Sequence, residues 1–307
     1  IKSLYFSKKL VFIFLMGIVS GIPLYLILST LMIWLTRENI DIATIGLFSL
    51  TQLPWSLKFI WAPLIDSFSI PILGKFLGNR RTWLVLTQFL LGCSIILLGI
   101  NDPNKNLFFC ALLAMFIAFF SATQDIIIDA YRIEILKESE QGAGAAMTQA
   151  GYRIGGIISG AGALYFREIV EWKIVFLSLG ILIFMFMFLN FFAPEELNYK
   201  PNKSNKNKFY LIFIKPIKEF FLRSHKLYSI IILLFILFFK LGDVIAGVMA
   251  NPFYVKIGFS NVEIANASKL FGVVATLVGV FVGGYLIKLY GILNILIIGS
   301  ILQIISN

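Results

Sequence analysis

A single histidine, His225, among 307 residues removes most metal-centre and triad chemistry from consideration. The two cysteines, Cys93 and Cys110, both fall inside apolar runs. They read as small buried residues, not as a disulfide framework or a zinc site. Charge is scarce as well. Only 14% of residues are Asp, Glu, Lys or Arg, against about 25% in ordinary soluble domains. With 59% hydrophobic residues and a mean hydropathy of +0.90, that shortage excludes a soluble globular protein and a disordered chain. Regular alternation of apolar and polar residues is missing, which excludes the strands of a membrane barrel. What the sequence has in excess is long apolar runs.

Eight runs are long enough to cross a bilayer, near residues 10–35, 42–65, 82–100, 107–131, 143–165, 173–193, 227–255 and 263–287. A ninth occupies residues 292–307. A span takes roughly 20 apolar residues, because the hydrocarbon core is about 30 Å thick and a helix rises about 1.5 Å per residue. Each run is too long for a strand, and backbone in lipid must satisfy its own hydrogen bonds. The fold class is therefore all-α, a polytopic membrane protein with eight complete transmembrane helices and the start of a ninth. The first run follows Lys2, Lys8 and Lys9, as a signal peptide would, but it is long and lacks a small-residue cleavage pattern, so it reads as a span.

Placing the N-terminus inside puts seventeen loop cations on that side and five on the other, while Lys58, Arg153, Lys240 and Lys269 lie within spans. The positive-inside rule then predicts a cytoplasmic N-terminus. It also accounts for the net charge of +10 without a nucleic-acid partner. Only one connection is long, and it carries eight basic residues between Glu195 and Leu227. Its second half, Phe209 to Phe221, is either an amphipathic helix beside anionic lipid headgroups or a solvated positive loop. Six spans, a linker and further spans resemble the half-and-half plan of the major facilitator architecture. The expected domains are a six-helix bundle over 1–195, a basic linker over 196–226, and an incomplete second bundle over 227–307.

Ionisable groups at bilayer depth cost about 2.5–3.5 kcal/mol each, so each needs a partner, a water-filled cavity or a function. In SATQDIIIDAYRIEIL, Asp125, Asp129 and Arg132 share one helix face, which Ser121 extends by a turn. The stripe is either a proton or substrate element facing a cavity or a salt-bridge cluster that locks helices. In FFKLGDVIAGVMANPF, Lys240 and Asp243 are three apart in mid-span, with Gly247 and Pro252 nearby. Lys58, Arg153 and Lys269 are the remaining buried cations and suit an anionic ligand. In the fifth run, Gly151 with Gly155 and Gly156 with Gly160 form two small-xxx-small pairs that permit close helix packing. Gln149, Tyr152 and Arg153 give that run one polar face. Asp66 with Arg80 and Arg81 supplies the parts of an ionic latch. Asp125 and Asp129 also match a magnesium-diphosphate motif, but the second acidic motif such an enzyme needs is missing, because Asp243 stands alone. Neither an enzyme nor a metal site is expected.

The loop PLIDSF…GNRR resembles a stretched major facilitator signature. The stretches GIPLYL, ENIDIATIGLFSL, KFIWAPLID, SATQDIIIDA, GAGAAMTQAGYRIG, FKLGDVIAG and KLFGVVATLVGVFVGGYL together resemble the AmpG-type muropeptide permeases. The resemblance runs from about Gly17 to Asn307. It implies a twelve-helix fold in a bacterial inner membrane and uptake of anhydromuropeptides into the cytoplasm. The proton gradient would drive that uptake, with no bound cofactor. The related acetyl-CoA transporters share much of the pattern. A truncated, non-transporting remnant is the alternative from another class, since the last three spans of the plan are missing from this chain.

The resemblance implies coupling and binding roles for Asp125, Asp129, Lys240 and Asp243, and the character of the other residues suggests the rest. Asp125 and Asp129 are the expected proton-coupling residues. Lys240, Asp243, Arg153, Gln124, Gln149 and Tyr152 are expected at the substrate, with Tyr25, Trp34 and Tyr152 stacking on sugar rings. Asp66, Arg80, Arg81 and Arg132 are expected to form a cytoplasmic gate. The expected partners are an anionic sugar-peptide and membrane lipids, around a monomer.

Overall fold

The computed structural model describes residues 5–68, 70, 77–194, 210–223, 226–239, 257–258 and 272–306, and among these residues the regular structure is entirely helical. The chain divides into two compact units, Ile1–Pro201 with Val280–Asn307, and Asn202–Gly279.

In the first unit, α1 runs continuously over Lys8–Arg37, with Ser7 accepting at its N-cap from the Leu10 amide. The α2 stretch, residues 42–67, is capped by Asp41, which accepts from Thr44, and then breaks into short pieces. Pro54 and Pro63 each fall in the first turn of a fresh piece, Leu53–Leu57 and Ala62–Ser67. Proline has no amide to give the preceding turn, and the 3-10 segments Phe48–Gln52 and Lys58–Ile60 absorb the mismatch. Next come α3, Asn79–Ile100, and α4, Leu107–Ile135, which Asn106 caps by accepting from Phe109. Then α5 occupies 141–167 and α6 spans Trp172–Phe192.

Among the described residues, α1, α3, α4 and α6 are the four helices long and apolar enough to cross a membrane. The run at 42–65 is helical but interrupted. The run at 143–165 has the length, yet its glycines, alanines, Gln149 and Arg153 dilute its apolarity. The expected seventh and eighth runs are described only in part.

Glycines set how closely the helices approach. On α1, Gly17 and Gly21 face the Thr148 and Tyr152 carbonyls of α5; on α5, Gly151 and Gly155 face the Phe14 and Ile18 carbonyls of α1. Each helix thus presents two glycines four residues apart to the other's backbone, the close contact that small residues permit in lipid. The second pair behaves differently. Gly156 lies against the Tyr25 ring, while a Cβ at Gly160 would meet nothing within 4 Å. Past this contact both helices widen into π segments, Leu26–Leu31 and Ile158–Gly162, and Thr30 donates from one to the Ser159 carbonyl of the other. Between α3 and α6, Gly92 and Gly99 face the Phe184 and Phe176 side chains, Gly180 faces Ile96, and Asn190 donates to Gln88 at 2.6 Å.

Two apolar clusters fill the unit. One gathers Leu10, Ile13, Met16, Leu84 and Ile126–Ile128; the other gathers Leu26, Leu31 and Trp34 of α1, Leu91 and Ile95 of α3, Leu113 and Ile117 of α4 and Phe176 and Leu179 of α6. On α4 the polar run Ser121, Thr123, Gln124 and Asp125 separates them. Cys110 is buried and Cys93 half-buried, both as free thiols. The unit also holds the end of α9, whose helix is Gly272–Tyr290, and the exposed α10, Ile292–Ser306. Tyr5 donates to the Phe281 carbonyl of α9 at 2.6 Å, and a Cβ at Gly284 would meet the Gly142 carbonyl at 2.8 Å. Burial holds the Tyr5 phenol above its usual range, so it stays a donor.

The second unit contains α7, Lys215–Arg223, and α8, Lys226–Phe239. Lys215 and Glu219 pair one turn apart at 3.6 Å, and Ser229 of α8 donates to the Phe220 carbonyl at 3.2 Å.

Candidate functional site

Four helices bring polar groups together at one depth. Ser20 of α1 donates to Asp125 Oδ1 of α4 at 2.6 Å. Lys58 of α2 and Asp129 of α4 act on the same carboxylate. From α5, Tyr152 faces Asp125, and its ring meets that of Tyr25 edge-on with centroids 6.2 Å apart. Arg153 stands beside Tyr152, and its Nε is buried without a partner.

The depth follows from helix geometry. Lys9 of α1 donates to the Ile135 carbonyl of α4, and Gln141 of α5 donates to the Ile133 and Leu136 carbonyls. The start of α1, the end of α4 and the start of α5 therefore lie at one face. Ser20, Asp125 and Tyr152 sit twelve, ten and eleven residues from Lys8, Ile135 and Gln141 respectively. At about 1.5 Å per residue, all three lie about 15–18 Å from that face, the middle of a hydrocarbon core about 30 Å thick. Tyr25, Lys58, Asp125, Gln149, Tyr152 and Arg153 are each partly buried. A carboxylate, two cations and two phenols there can exchange a proton and hold a ligand that carries carboxylates and ring faces.

A second cluster lies near the same face as Lys9. Arg80, at the start of α3, pairs with Asp66 Oδ1 at 2.6 Å and forks onto both oxygens of Glu134 at 2.5–3.2 Å. It ties the end of α2 to the end of α4 through one guanidinium, the bidentate geometry that arginine favours. Arg81 turns the other way and donates to the carbonyls of Leu77, Phe191 and Ala193, so it holds α3 to the end of α6.

Several expected positions are revised. Gln124 is fully buried, with both amide atoms unpartnered, because it points about 100° around α4 from Asp125. Trp34 is in the core, stacked on Trp172 at 6.0 Å and donating to Glu38. Arg132 does pair, but with Asp129 at 3.5 Å on its own helix, apart from the Asp66 cluster. Lys240 and Asp243 lie outside the described residues. Two residues were missed. Ser20 was hidden among apolar neighbours, though its place between Gly17 and Gly21 marked a closely packed stripe. Glu134 was hidden as a helix-end acid, though Arg80 has donors for two carboxylates.

The sequence profile of the Major Facilitator Superfamily matches residues 11–307. The chain belongs to that superfamily. Its relatives include the AmpG 4 protein of Rickettsia conorii, 38% identical over 311 residues that cover all of this chain and 74% of that protein. The AmpG 4 protein of Rickettsia felis is also 38% identical with the same coverage. The anhydromuropeptide permease of Escherichia coli K12 is 37% identical over 295 residues, 95% of this chain and 58% of that protein. A major facilitator protein with these apolar helices is a multi-pass membrane transporter.

Proposed function

We propose that this protein imports anhydromuropeptides across the bacterial inner membrane, driven by the proton gradient. The 37% identity to the Escherichia coli permease over 95% of the chain carries the substrate assignment. The coupling assignment rests on Asp125, a carboxylate at mid-depth among helices that pack on different sides of it.

In this reading Asp125 takes a proton from the periplasmic side and releases it to the cytoplasm, with Asp129 and Arg132 on the release path. Lys58 and Arg153 meet the carboxylates of the peptide, and Tyr25 and Tyr152 offer ring faces to the sugars. Arg80, held by Asp66 and Glu134, closes the cytoplasmic face. The excess of loop cations on the N-terminal side supports a cytoplasmic N-terminus.

The test is uptake of labelled anhydromuropeptide by cells that lack their own permease and express the full reading frame encoding this chain. Uptake that a protonophore abolishes, and that Asp125→Asn cells lack, is the expected result. Absence of uptake refutes the transport reading; uptake indifferent to the protonophore refutes the coupling. Inhibition by acetyl-CoA with none by excess unlabelled muropeptide refutes the substrate.

A further inference from the structure

The strongest unassigned interaction in the polar cluster is the hydrogen bond from Ser20 to Asp125, at 2.6 Å within the short range for a hydroxyl donating to a carboxylate. Ser20 is only 7% exposed, so no bulk water stands ready to replace it. Its backbone is fixed on both sides, because Gly17 and Gly21 are locked against the Thr148 and Tyr152 carbonyls of α5. The hydroxyl is thus placed by the α1–α5 contact, while Asp125 is carried by α4. Their bond ties α4 to that helix pair.

We propose that Ser20 is the positioning residue for Asp125, holding Oδ1 toward α1 so that Oδ2 alone is presented to the incoming proton. This rests on the reading of Asp125 as the coupling carboxylate. A relative displacement of about 1 Å takes the pair beyond hydrogen-bond range, so a change in helix separation switches the carboxylate between a bonded and an unbonded state. The charged and titratable groups that act on Asp125 come from α2, α4 and α5. They are Lys58 on α2, Asp129 on α4 and Tyr152 on α5, with Arg153 beside Tyr152. Ser20 differs from them in being a neutral donor directly on the carboxylate.

A donor to a carboxylate favours its charged form, so losing the donor lets the proton stay bound to higher pH. The measurement is an infrared pH titration of the protonated carboxyl band of the purified protein in lipid nanodiscs, with the band assigned by its loss in Asp125→Asn. Ser20→Ala is expected to move the band's midpoint upward by roughly 1 pH unit, and the pH profile of uptake in the same direction. Ser20→Thr, which keeps the hydroxyl, restores the native midpoint. Should Ser20→Ala melt before it is titrated, Ser20→Cys, a weaker donor of similar size, gives a smaller upward shift. An unchanged midpoint in Ser20→Ala or Ser20→Cys, or a Ser20→Thr shift as large as that of alanine, overturns the assignment. The two readings fail separately. A shifted midpoint in a protein that imports no muropeptide keeps Ser20 and refutes the transport function, and an unshifted midpoint in an active importer does the reverse.

Discussion

Replacing Gly155 with alanine puts a Cβ onto the Ile18 carbonyl oxygen, with the Ile18 carbonyl carbon at 3.0 Å and the Ile22 nitrogen at 3.1 Å. All three are backbone atoms of a helix, so none yields by rotating a side chain. Comfortable contact begins near 3.5 Å, and the oxygen is closest of the three, so α1 and α5 must separate by about 1–1.5 Å. A gap of that size forfeits about half or more of each dispersion contact, itself worth about 0.1–0.2 kcal/mol. Over roughly 40 atom pairs the loss is about 3 kcal/mol, at the upper end of the ~1–3 kcal/mol typical of an overpacked core. For a unit of this size, that lowers the melting temperature by roughly 10 °C. The same substitution at Gly160, where a Cβ meets nothing within 4 Å, is the control. There alanine relieves the conformational freedom of glycine and leaves the melting temperature unchanged or slightly raised. The assay is thermal unfolding of the purified variants, followed by monodisperse fraction on size exclusion. Equal losses at the two positions, or no loss at Gly155, refute the reciprocal backbone contact.

Arg80→Lys keeps the charge but loses the fork onto Glu134. Because both acid partners are half-exposed, we expect a loss of about 1–2 kcal/mol in thermal unfolding, with Arg80→Lys and Glu134→Gln together costing less than their sum; strict additivity counts against the shared cluster. Trp34→Ala should cost about 3–5 kcal/mol of stability, whereas Trp34→Phe should leave the KM for uptake unchanged; a raised KM in Trp34→Phe would return this residue to the ligand. Asp41 caps α2 as a carboxylate, held below its ordinary range first by its side-chain hydrogen bond with Thr44. Its stabilisation is present above the ordinary carboxylate range and lost as pH falls through its lowered value. The melting difference between the native protein and Asp41→Ala should therefore be full at neutral pH and vanish in strong acid; a difference that persists there contradicts the cap.

The helical class and the position of Asp125 within its helix were legible because both depend on local pattern. Apolar run length sets a span, and distance along a helix sets depth. The close packing of Gly151 and Gly155 was legible for the same reason, since small residues four apart make a groove whatever fills it. The filler was not legible. The matching pair on α1, Gly17 and Gly21, is also four apart, but pairing the two stripes requires knowing which helices are neighbours. Rotation about a helix axis set the other limit. Gln124 and Asp125 are adjacent in sequence and about 100° apart in space, so one is sealed in the core and the other opens to the cluster. The burial of Trp34 was not legible for a related reason, because its partner Trp172 lies far along the chain and nothing local revealed the stack.

The glycine contact and the polar cluster are one arrangement. A carboxylate at the middle of a bilayer costs about 2.5–3.5 kcal/mol, and a hydrogen bond to a charged group contributes about 1.5–3 kcal/mol. Ser20 thus offsets much of the cost of Asp125, but a serine side chain is too short to reach across an ordinary helix interface and also sit on a helix packed elsewhere. Gly17 and Gly21 let α1 lie against α5 on one side while Ser20, between them, turns toward α4 on the other. Tyr152 is held in the same way, its carbonyl against Gly21 and its ring near Tyr25. Larger residues at these glycines would separate the carboxylate from its donor as well as loosen the bundle. The small residues that permit close packing therefore also set the geometry of the charge at its centre.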